Sequence, residues 1–341
     1  MPASIEDVAR KANVSISTVS RVLNRRNIVN DKTRKRVEGA ILELNYRPNV
    51  FARGLMLQQS NILGLVLPDL HGEFYSEIIR GANAKAHDLG YQLMVSSVGG
   101  KNDGHAVLSA VSSHGLVDGI VVMVSEIDSK AKKTLSGVTI PFVVLDGQVD
   151  RVKHDSVVID QRHGAEEMML HLIEDRQAKH IIFVGGTKTN IDTIDRLAAY
   201  RDTMSQASLP VDANDIYHLD FSYEKAFELG IEKVKSWASS DAFIFAANDE
   251  MAAGIIDAAI EKGISVPEQI RVVGFDDTRI AIMTRPRLTT VHVPMSSMGA
   301  QAVELLCQRL KEPERAPVKI TLHSNLVIRE SCGSSQEASL R

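Results

Sequence analysis

Polar and aromatic side chains follow several apolar runs of strand length in the later part of the 341-residue chain. Phe74 and Tyr75 come after the first run, Asp146 follows PFVVL, and Asn248 follows AFIFAA. Carboxylates, an amide and aromatic rings suit a polyhydroxylated ligand, and an arginine can also pair with a ligand carboxylate or phosphate. The chemistry that these residue types indicate is the binding of a small molecule.

Parallel sheets bind ligands at the carboxyl ends of their strands, so we collected the polar and aromatic residues at these ends and in the loops that follow. The candidate ligand-binding residues are Phe74, Tyr75, Asp146, Asp160, Arg196, Phe221, Asn248 and Asp276. Arg196, Asp276, Asn248 and Asp146 rank highest among them.

Several of these residues have a structural alternative. Asp160 is either a helix cap or a ligand-binding residue, and Phe74 is either a cleft or a core residue. Arg196 either binds the ligand or pairs with a nearby carboxylate and holds a loop. Asp249 and Asp277 are expected to cap the helices that follow them.

Motifs for catalysis are absent from the sequence. It contains no GxSxG elbow, Walker A loop, HExxH or paired CxxC. The eleven histidines show no metal-ligand spacing, and Cys307 and Cys332 lie far apart. We therefore expect no catalytic residue, no metal and no cofactor, and the chain is not expected to be an enzyme.

Strand–helix alternation begins at Asn61 and positions these residues. Apolar runs such as ILGLVLP and GIVVMV alternate with helical segments, among them Tyr75–Leu89, Gly164–Glu174 and Arg196–Ala207. This alternation predicts α/β architecture with doubly wound parallel sheets.

The first part of the chain has a different pattern. Ile5–Asn24 reads as two short helices: Ser4 and Asp7 cap the first, and Asn13 ends it. Ser15 caps the second helix, whose apolar side chains recur at helical spacing. A third helix is predicted over Asp31–Leu44. This pattern favours an all-α helix-turn-helix domain, and the alternative is an ordinary helical hairpin with a solvated polar face.

The charge distribution supports nucleic-acid binding by this first part. The whole chain has a net charge of −4, but residues 1–60 contain 11 Lys and Arg against 5 Asp and Glu. The remainder contains 28 against 38. A basic head on an acidic body is typical of a DNA-binding module joined to a domain with another task.

Three separated motifs make the sequence resemble the LacI/GalR family of bacterial repressors. They are DVA at Asp7–Ala9, VSxxTVSRVLN at Val14–Asn24 and LNYRPNxxARGL at Leu44–Leu55. The resemblance implies a helix-turn-helix domain over 1–47, a hinge helix and linker over 48–60, and a two-lobed effector-binding and dimerisation domain over 61–332. Within the last domain, Arg196 matches the family's effector-binding arginine. The lobes, of the periplasmic-binding-protein type, are expected at about 61–160 plus 291–321 and about 161–290 plus 322–332. Residues 333–341 are expected to be a disordered tail.

The same resemblance assigns residues to DNA. Ile16, Ser17 and Arg21 occupy the positions that read bases, and Leu55 matches the leucine that the family inserts into the central base step. The expected DNA-binding set is Ser4, Ser15, Ile16, Ser17, Thr18, Ser20, Arg21, Asn24, Asn49, Ala52, Arg53 and Leu55.

The expected function is that of a homodimeric repressor of carbohydrate-use genes that binds a pseudo-palindromic operator in double-stranded DNA. A small-molecule effector, a sugar or sugar derivative, is expected to bind between the lobes and alter operator affinity. A sugar receptor and a sugar-acting enzyme are the alternatives that would use the same cleft. The sequence shows no signal peptide or transmembrane run, so we expect a cytoplasmic protein without a membrane partner. No leucine-heptad tail follows Arg329, which favours a dimer over a tetramer.

Overall fold

The computed structural model divides into two units, Met1–Ser60 and Asn61–Arg341. It describes residues 3–24, 29–46, 60–98, 116–124, 133, 135, 137–147 and 154–334. The predicted DNA contacts at Asn49, Ala52, Arg53 and Leu55 lie outside the described residues, as does the tail from residue 335.

The first unit contains three short helices around a small apolar core. The helices are α1 (Ile5–Ala12), α2 (Ile16–Asn24) and α3 (Asp31–Glu43). Val8, Val19 and Val37, one from each helix, are fully buried in this core. They occupy the inner positions that the helical spacing predicts, and their burial stabilises helices too short to persist alone.

The second unit begins with a six-stranded parallel sheet, which defines the first lobe. Its strands are β1 (Ile62–Leu67), β2 (Gln92–Ser97), β3 (Gly119–Met123), β4 (Phe142–Leu145), β5 (Asp155–Ile159) and β11 (Lys319–Leu322). Their order across the sheet is β11-β5-β4-β3-β1-β2. Helices α4 (Gly72–Asp88) and α10 (Met295–Lys311) pack against each other and against these strands. Because β1, β3 and β4 are buried along nearly their whole length, they read as continuous apolar runs.

The second lobe contains a four-stranded parallel sheet in the order β7-β6-β8-β9. These strands are β6 (Ile181–Gly185), β7 (Ile216–His218), β8 (Phe243–Ala246) and β9 (Arg271–Val273). Its helices are α5 (Gln161–Leu170), α6 (Ile191–Gln206), α7 (Tyr223–Ser239), α8 (Asp249–Glu261) and α9 (Arg279–Met283). A π-helical turn, His171–Asp175, continues α5. Helix α5 packs on α6, and α7 packs on α8.

An antiparallel ribbon lies where the chain passes between the lobes. It pairs β10 (Thr290–His292) with β12 (Asn325–Val327). Single bridges join this ribbon to the second lobe, from Val273 to Thr289 and from Asp276 to His292. The carboxyl end of β9 therefore lies beside the segments that connect the lobes.

The predicted fold class, a helix-turn-helix domain followed by two parallel-sheet lobes, is confirmed. Helix starts are less well predicted: α4, α5 and α6 begin three to five residues before the expected positions, and α9 was not anticipated. No helix among the described residues is long and apolar enough to cross a membrane.

Candidate functional site

Side-chain caps fix the start of α1, and the backbone of Asn13 ends this helix before the turn to α2. Ser4 Oγ accepts a hydrogen bond from the Asp7 amide at 3.2 Å, and Asp7 Oδ2 accepts one from the Ser4 amide at 2.9 Å. The backbone and side-chain hydrogen bonds from Ser4 lower the pKa of Asp7. Asn13 ends α1 in the left-handed region, at φ 48°. These are the residues that the capping pattern predicts for the two ends of α1.

The predicted base-reading residues lie on the outer side of α2. Ile16 is 44% exposed, and Ser17 and Arg21 are also exposed. Ser15 Oγ accepts a hydrogen bond from the Thr18 amide at 3.2 Å, so it caps the helix as expected. An exposed apolar side chain, a hydroxyl and a guanidinium on the first turns of a helix form a surface that can contact base edges.

Basic side chains of the first unit divide into two groups. Arg36 donates to the Ala12 and Asn13 carbonyls, the latter at 2.9 Å, and so fixes the turn before α2. Lys11 pairs with Glu43 at 2.5 Å. Arg21, in contrast, forms no ion pair with the residues that the structure describes. Arg21 is exposed on the outer side of α2.

A cavity of about 520 Å³ lies between the two lobes of the second unit. Its lining residues are Asp69, His71, Gly72, Phe74, Tyr75, Asp192, Arg196, Asp220, Phe221, Ser222, Glu224, Asn248, Asp249, Glu250, Asp276 and Thr278. Six of the eight predicted effector residues are among them: Phe74, Tyr75, Arg196, Phe221, Asn248 and Asp276. The remaining two, Asp146 and Asp160, are not.

Arg196 is the central cation of this cavity. It lies on α6, is only 2% exposed, and stacks 3.7 Å above the centre of the Phe275 ring. Its Nη2 donates to Gln161 Oε1 at 2.7 Å, and its Nη1 donates to the Ala247 carbonyl. Asp276 Oδ1 lies 3.6 Å from Nη2. Most of the guanidinium is therefore occupied by the protein itself, so the structural and the ligand-binding interpretations of this residue coexist.

Two buried carboxyl groups have an oxygen without a hydrogen-bond partner among the described residues. These atoms are Asp276 Oδ1 and Asp146 Oδ2. Burial raises the pKa of Asp276 well above its usual value, and the charge of Arg196 only partly opposes this. Burial, followed by the charge of Asp192, likewise raises the pKa of Asp146. Both residues adopt positive φ angles, 108° and 47°. Of the two, only Asp276 lines the cavity, and an acceptor oxygen there that lacks a hydrogen bond suits a ligand that donates one.

Asp192 is a cavity residue that the sequence analysis did not select. The Asn190 side chain accepts from the Thr193 amide at 2.8 Å and caps α6, which places Asp192 in the first helical turn. The sequence pattern predicts that this helix begins at Arg196, which would place Asp192 in a loop. The asparagine before an Ile-Asp-Thr run is the capping signal that would have corrected this start.

The expected helix caps Asp249 and Asp277 are wrong. Asn248 caps α8 instead, because its Oδ1 accepts from the Met251 amide at 2.9 Å. Asp249 is fully buried and accepts hydrogen bonds from the Thr278 amide at 2.7 Å and from Thr290 Oγ1 at 2.6 Å. Asp277 is paired with Arg329 at 2.6 Å. Both carboxylates join the second lobe to the connecting ribbon rather than capping a helix.

Asp160 also requires a correction. Its Oδ1 accepts from the His163 amide at 3.2 Å and caps α5. It is not among the cavity-lining residues. The helix-cap alternative for this residue is therefore the one observed.

Aromatic rings provide the apolar surface of the cavity. Phe74 and Tyr75 lie edge to face with ring centres 5.4 Å apart at the start of α4. Burial raises the pKa of Tyr75, so its hydroxyl stays a hydrogen-bond donor. Phe221 faces them from the second lobe, and it packs against Gly186, where a Cβ atom would come within 2.1 Å of the ring. Rings beside polar groups can contact the apolar faces of a sugar.

One further hydrogen bond joins the lobes near this cavity. Glu73 Oε2, on α4 of the first lobe, accepts from the Arg279 amide at the start of α9 in the second lobe, at 2.7 Å. No side chain of the second lobe caps α9. The bond therefore belongs to the lobe arrangement seen in this structure and would be lost if the lobes separated.

A helix-turn-helix unit joined to a two-lobed unit with a polar cleft defines the class of ligand-responsive gene regulators. Residues 4–49 match the family described as bacterial regulatory proteins, lacI family, and residues 170–332 match the periplasmic binding protein-like domain. Catabolite control protein A from Priestia megaterium is 34% identical over 313 residues, which cover 92% of this chain and 94% of that protein. The chain belongs to the lacI family of transcriptional regulators.

Solved structures agree with this assignment. The lac repressor dimer bound to operator and the anti-inducer ONPF is 27% identical, with a TM-score of 0.86, covering 98% of this chain and all of that one. The complex of the transcriptional regulator CelR with cellobiose is also 27% identical, with a TM-score of 0.72, covering 96% and 99%. The curated relatives carry the names of transcriptional regulators and not of enzymes.

Proposed function

We propose that this regulator binds operator DNA as a homodimer through α2 and the segment 48–60, and that a carbohydrate in the cleft controls its operator affinity. The observation that carries the proposal is the cavity between the lobes, in which Arg196 and a carboxyl oxygen of Asp276 without a hydrogen-bond partner lie beside aromatic rings. The similarity to the operator-bound lac repressor and to the cellobiose complex supports both parts.

The charge of the cavity narrows the class of effector. Its lining contains seven carboxyl groups, on Asp69, Asp192, Asp220, Glu224, Asp249, Glu250 and Asp276, against the cations of Arg196 and, when protonated, His71. Because Arg196 is already bonded to Gln161 and lies beside Asp276, little positive charge remains for a ligand phosphate or carboxylate. We infer an effector with several hydroxyl donors and no negative charge, such as a neutral sugar.

An exposed apolar surface supports the homodimer. Ile282 and Met283 on α9 are 51% and 68% exposed, and Ile260 at the end of α8 is 59% exposed. Ile260 and Pro286 line the same shallow groove, and the sequence continues directly from Met283 towards Pro286. Large apolar side chains grouped on one surface favour contact with another protein surface, and in a symmetric dimer both copies contribute the same patch.

The experiment begins with selection of an operator from random DNA by the purified full-length protein. Operator affinity is then measured by fluorescence anisotropy at low and high salt, and we expect it to fall steeply because phosphate contacts release counterions. A panel of neutral sugars, sugar phosphates and sugar acids is next tested for altered operator affinity. A response to neutral sugars alone supports the proposal, and a response confined to phosphates or acids contradicts the effector class.

Arg196→Lys provides the matched variant for the cleft. In Arg196, two nitrogens of one planar group bond Gln161 and the Ala247 carbonyl. Lysine keeps the positive charge, but it has a single nitrogen and cannot fill both positions. We expect operator binding without sugar to remain near that of the wild type while the sugar response falls at least tenfold. A protein that binds a sugar but no DNA would support the alternative of a sugar receptor. A protein that converts the sugar into a product would support the alternative of a sugar-acting enzyme.

A further inference from the structure

A cluster of titratable side chains lies in the second lobe, away from the cleft. Cys332 ends a short 3₁₀ turn, Glu330–Cys332, and its side chain is buried. Its Sγ lies 3.5 Å from His171 Nε2, and His171 Nδ1 lies 2.8 Å from Asp175 Oδ2. A sulfur nucleophile, an imidazole and a carboxylate thus follow one another in hydrogen-bonding order. This order is the one in which a base activates a cysteine and a third group orients the base.

The surroundings of the sulfur add two hydroxyl groups. Thr289 Oγ1 lies 3.2 Å from Cys332 Sγ, and Ser334 Oγ lies 3.1 Å from it. With His171 Nε2, three groups that can donate a hydrogen bond face the sulfur from three different segments of the chain, and one acceptor, the Arg329 carbonyl, lies 3.6 Å from it. A buried thiol that only filled space would have apolar neighbours, whereas these groups are suited to solvate a negative sulfur.

The pKa shifts of the two central groups run in the directions of a thiolate–imidazolium pair. Burial alone would raise the pKa of Cys332, but hydrogen bonds from His171, Ser334 and Thr289 outweigh it and lower the pKa to about 7. Burial alone would lower the pKa of His171, but its bonds with Cys332 and Asp175 raise it. Cys307 has no such environment, and burial raises its pKa.

We propose that Cys332 is a modification site, a thiolate held by His171 that reacts with small oxidants of the peroxide class. The sulfur attacks one oxygen of the peroxide, an S–O bond forms, and the O–O bond breaks. The hydroxide that leaves hydrogen peroxide takes the proton of the His171 imidazolium and departs as water. Cys332 is oxidised to a sulfenic acid and the peroxide is reduced.

Access to the sulfur is controlled by the chain segment that follows it. Arg176 Nε donates to the Cys332 carbonyl at 3.0 Å, and Arg176 Nη2 donates to the Gly333 carbonyl at 2.5 Å. These two hydrogen bonds from Arg176 hold residues 332–333 over the cluster. Gly333 and Ser334 are only half-buried, and a segment with few buried contacts opens at a lower cost in free energy than a core strand. Small reagents can therefore reach the sulfur when this segment opens, without unfolding of the lobe.

The test measures alkylation of each cysteine by iodoacetamide across a pH series, with mass spectrometry of the full-length folded protein. We expect the Cys332 rate to rise with a midpoint near pH 7. Cys307 serves as the internal control and should stay largely unmodified until denaturant is added. Arg176→Ala should raise the Cys332 rate at every pH without moving the midpoint, because it loosens the cover and leaves the His171 contact in place.

His171→Gln should move the midpoint upward by at least about one pH unit, since a neutral amide cannot balance the thiolate charge. Asp175→Asn is the second variant, because the Asp175 side chain is largely exposed and its loss should leave the fold intact while giving a smaller upward shift. Treatment with hydrogen peroxide followed by dimedone should label Cys332 and leave Cys307 unlabelled. Absence of labelling at Cys332 in both wild type and Arg176→Ala, or an unchanged midpoint in both His171→Gln and Asp175→Asn, would overturn the proposal.

Discussion

Buried carboxyl groups give individual residues of the second unit an unusual response to pH. Asp249 is fully buried, and burial raises its pKa to about 7 even though Thr290 and Thr278 donate hydrogen bonds that oppose the shift. The folded protein therefore holds this proton from about pH 4 to about pH 7, where the unfolded chain has released it. The stabilisation from the protonated group is complete below the unfolded pKa and is lost as pH rises through about 7.

We predict that Asp249→Asn reduces the pH dependence of stability. For the wild type, the free energy of unfolding in urea should fall by about 3 kcal/mol between pH 5 and pH 8 through this group alone. The amide cannot titrate, so the variant should lose that part of the decrease and keep the part due to Asp276 and Asp146, whose pKa values are also raised. Equal slopes for the two proteins would show that Asp249 is ionised throughout.

Adjacent residues show where the sequence was sufficient and where it was not. Asn248 and Asp249 are both good capping residue types, and only the three-dimensional contacts reveal that Asn248 caps α8 while Asp249 bonds Thr278 and Thr290. Both residue types have the same local preference for helix caps. The difference comes from Thr278 and Thr290, the hydrogen-bond partners of Asp249, which lie about 30 and 40 residues away in the chain. Arg196 was selected correctly as a cavity residue, but its bond to Gln161 depends on the packing of α5 against α6.

At the scale of elements, α2 combines a buried apolar side with an exposed polar side. Its placement was predictable from sequence because Ser4, Asn13 and Ser15 act on residues three or four positions away. Helix α9 was not predictable in the same way. It has five residues, and its start is capped by Glu73 from another lobe.

We predict that Arg21→Ala weakens binding to a selected operator by about 1–3 kcal/mol and leaves binding to random DNA nearly unchanged. Arg21 is exposed and forms no ion pair with described residues, so its removal should not disturb the core. Lys35→Ala is the matched control, because it also removes one positive charge, from an exposed position of α3. Fluorescence anisotropy measures the affinity of each variant for the selected operator and for random DNA. An equal loss on operator and random DNA would make Arg21 a phosphate contact.

The exposed surface of α9 allows a test of dimerisation. We predict that Met283→Glu raises the dimer dissociation constant at least tenfold, because the change places a charge on an apolar surface that the partner would bury. Analytical ultracentrifugation measures this directly. Val211→Glu, at another exposed apolar position, is the control and should leave the dimer intact. A Met283→Glu protein that remains as dimeric as the wild type would exclude this surface.

For the whole molecule, the two units have opposite charge and separate tasks, and a ligand can link them only by distinguishing two arrangements of the lobes. The cavity is suited to this because its lining comes from both lobes: Tyr75 lies on the first, and Arg196 and Asp276 lie on the second. A ligand that bonds to both sides stabilises the arrangement in which they are close. The bond from Arg279 to Glu73 favours the same arrangement without ligand.

We predict that Glu73→Ala weakens effector binding by up to about tenfold, since a hydrogen bond to a charged group contributes roughly 1.5–3 kcal/mol and part of this is recovered from water. Glu77→Ala is the control, because Glu77 lies one turn further along α4 and pairs with Arg80 of the same helix. Thermodynamic linkage requires a matching change at the DNA. If the effector releases the operator, Glu73→Ala should bind operator more tightly without effector, and if the effector promotes binding, it should bind more weakly. Titration calorimetry and operator anisotropy measure both quantities. Unchanged effector and operator affinities in Glu73→Ala would show that the bond between the lobes does not participate in the coupling.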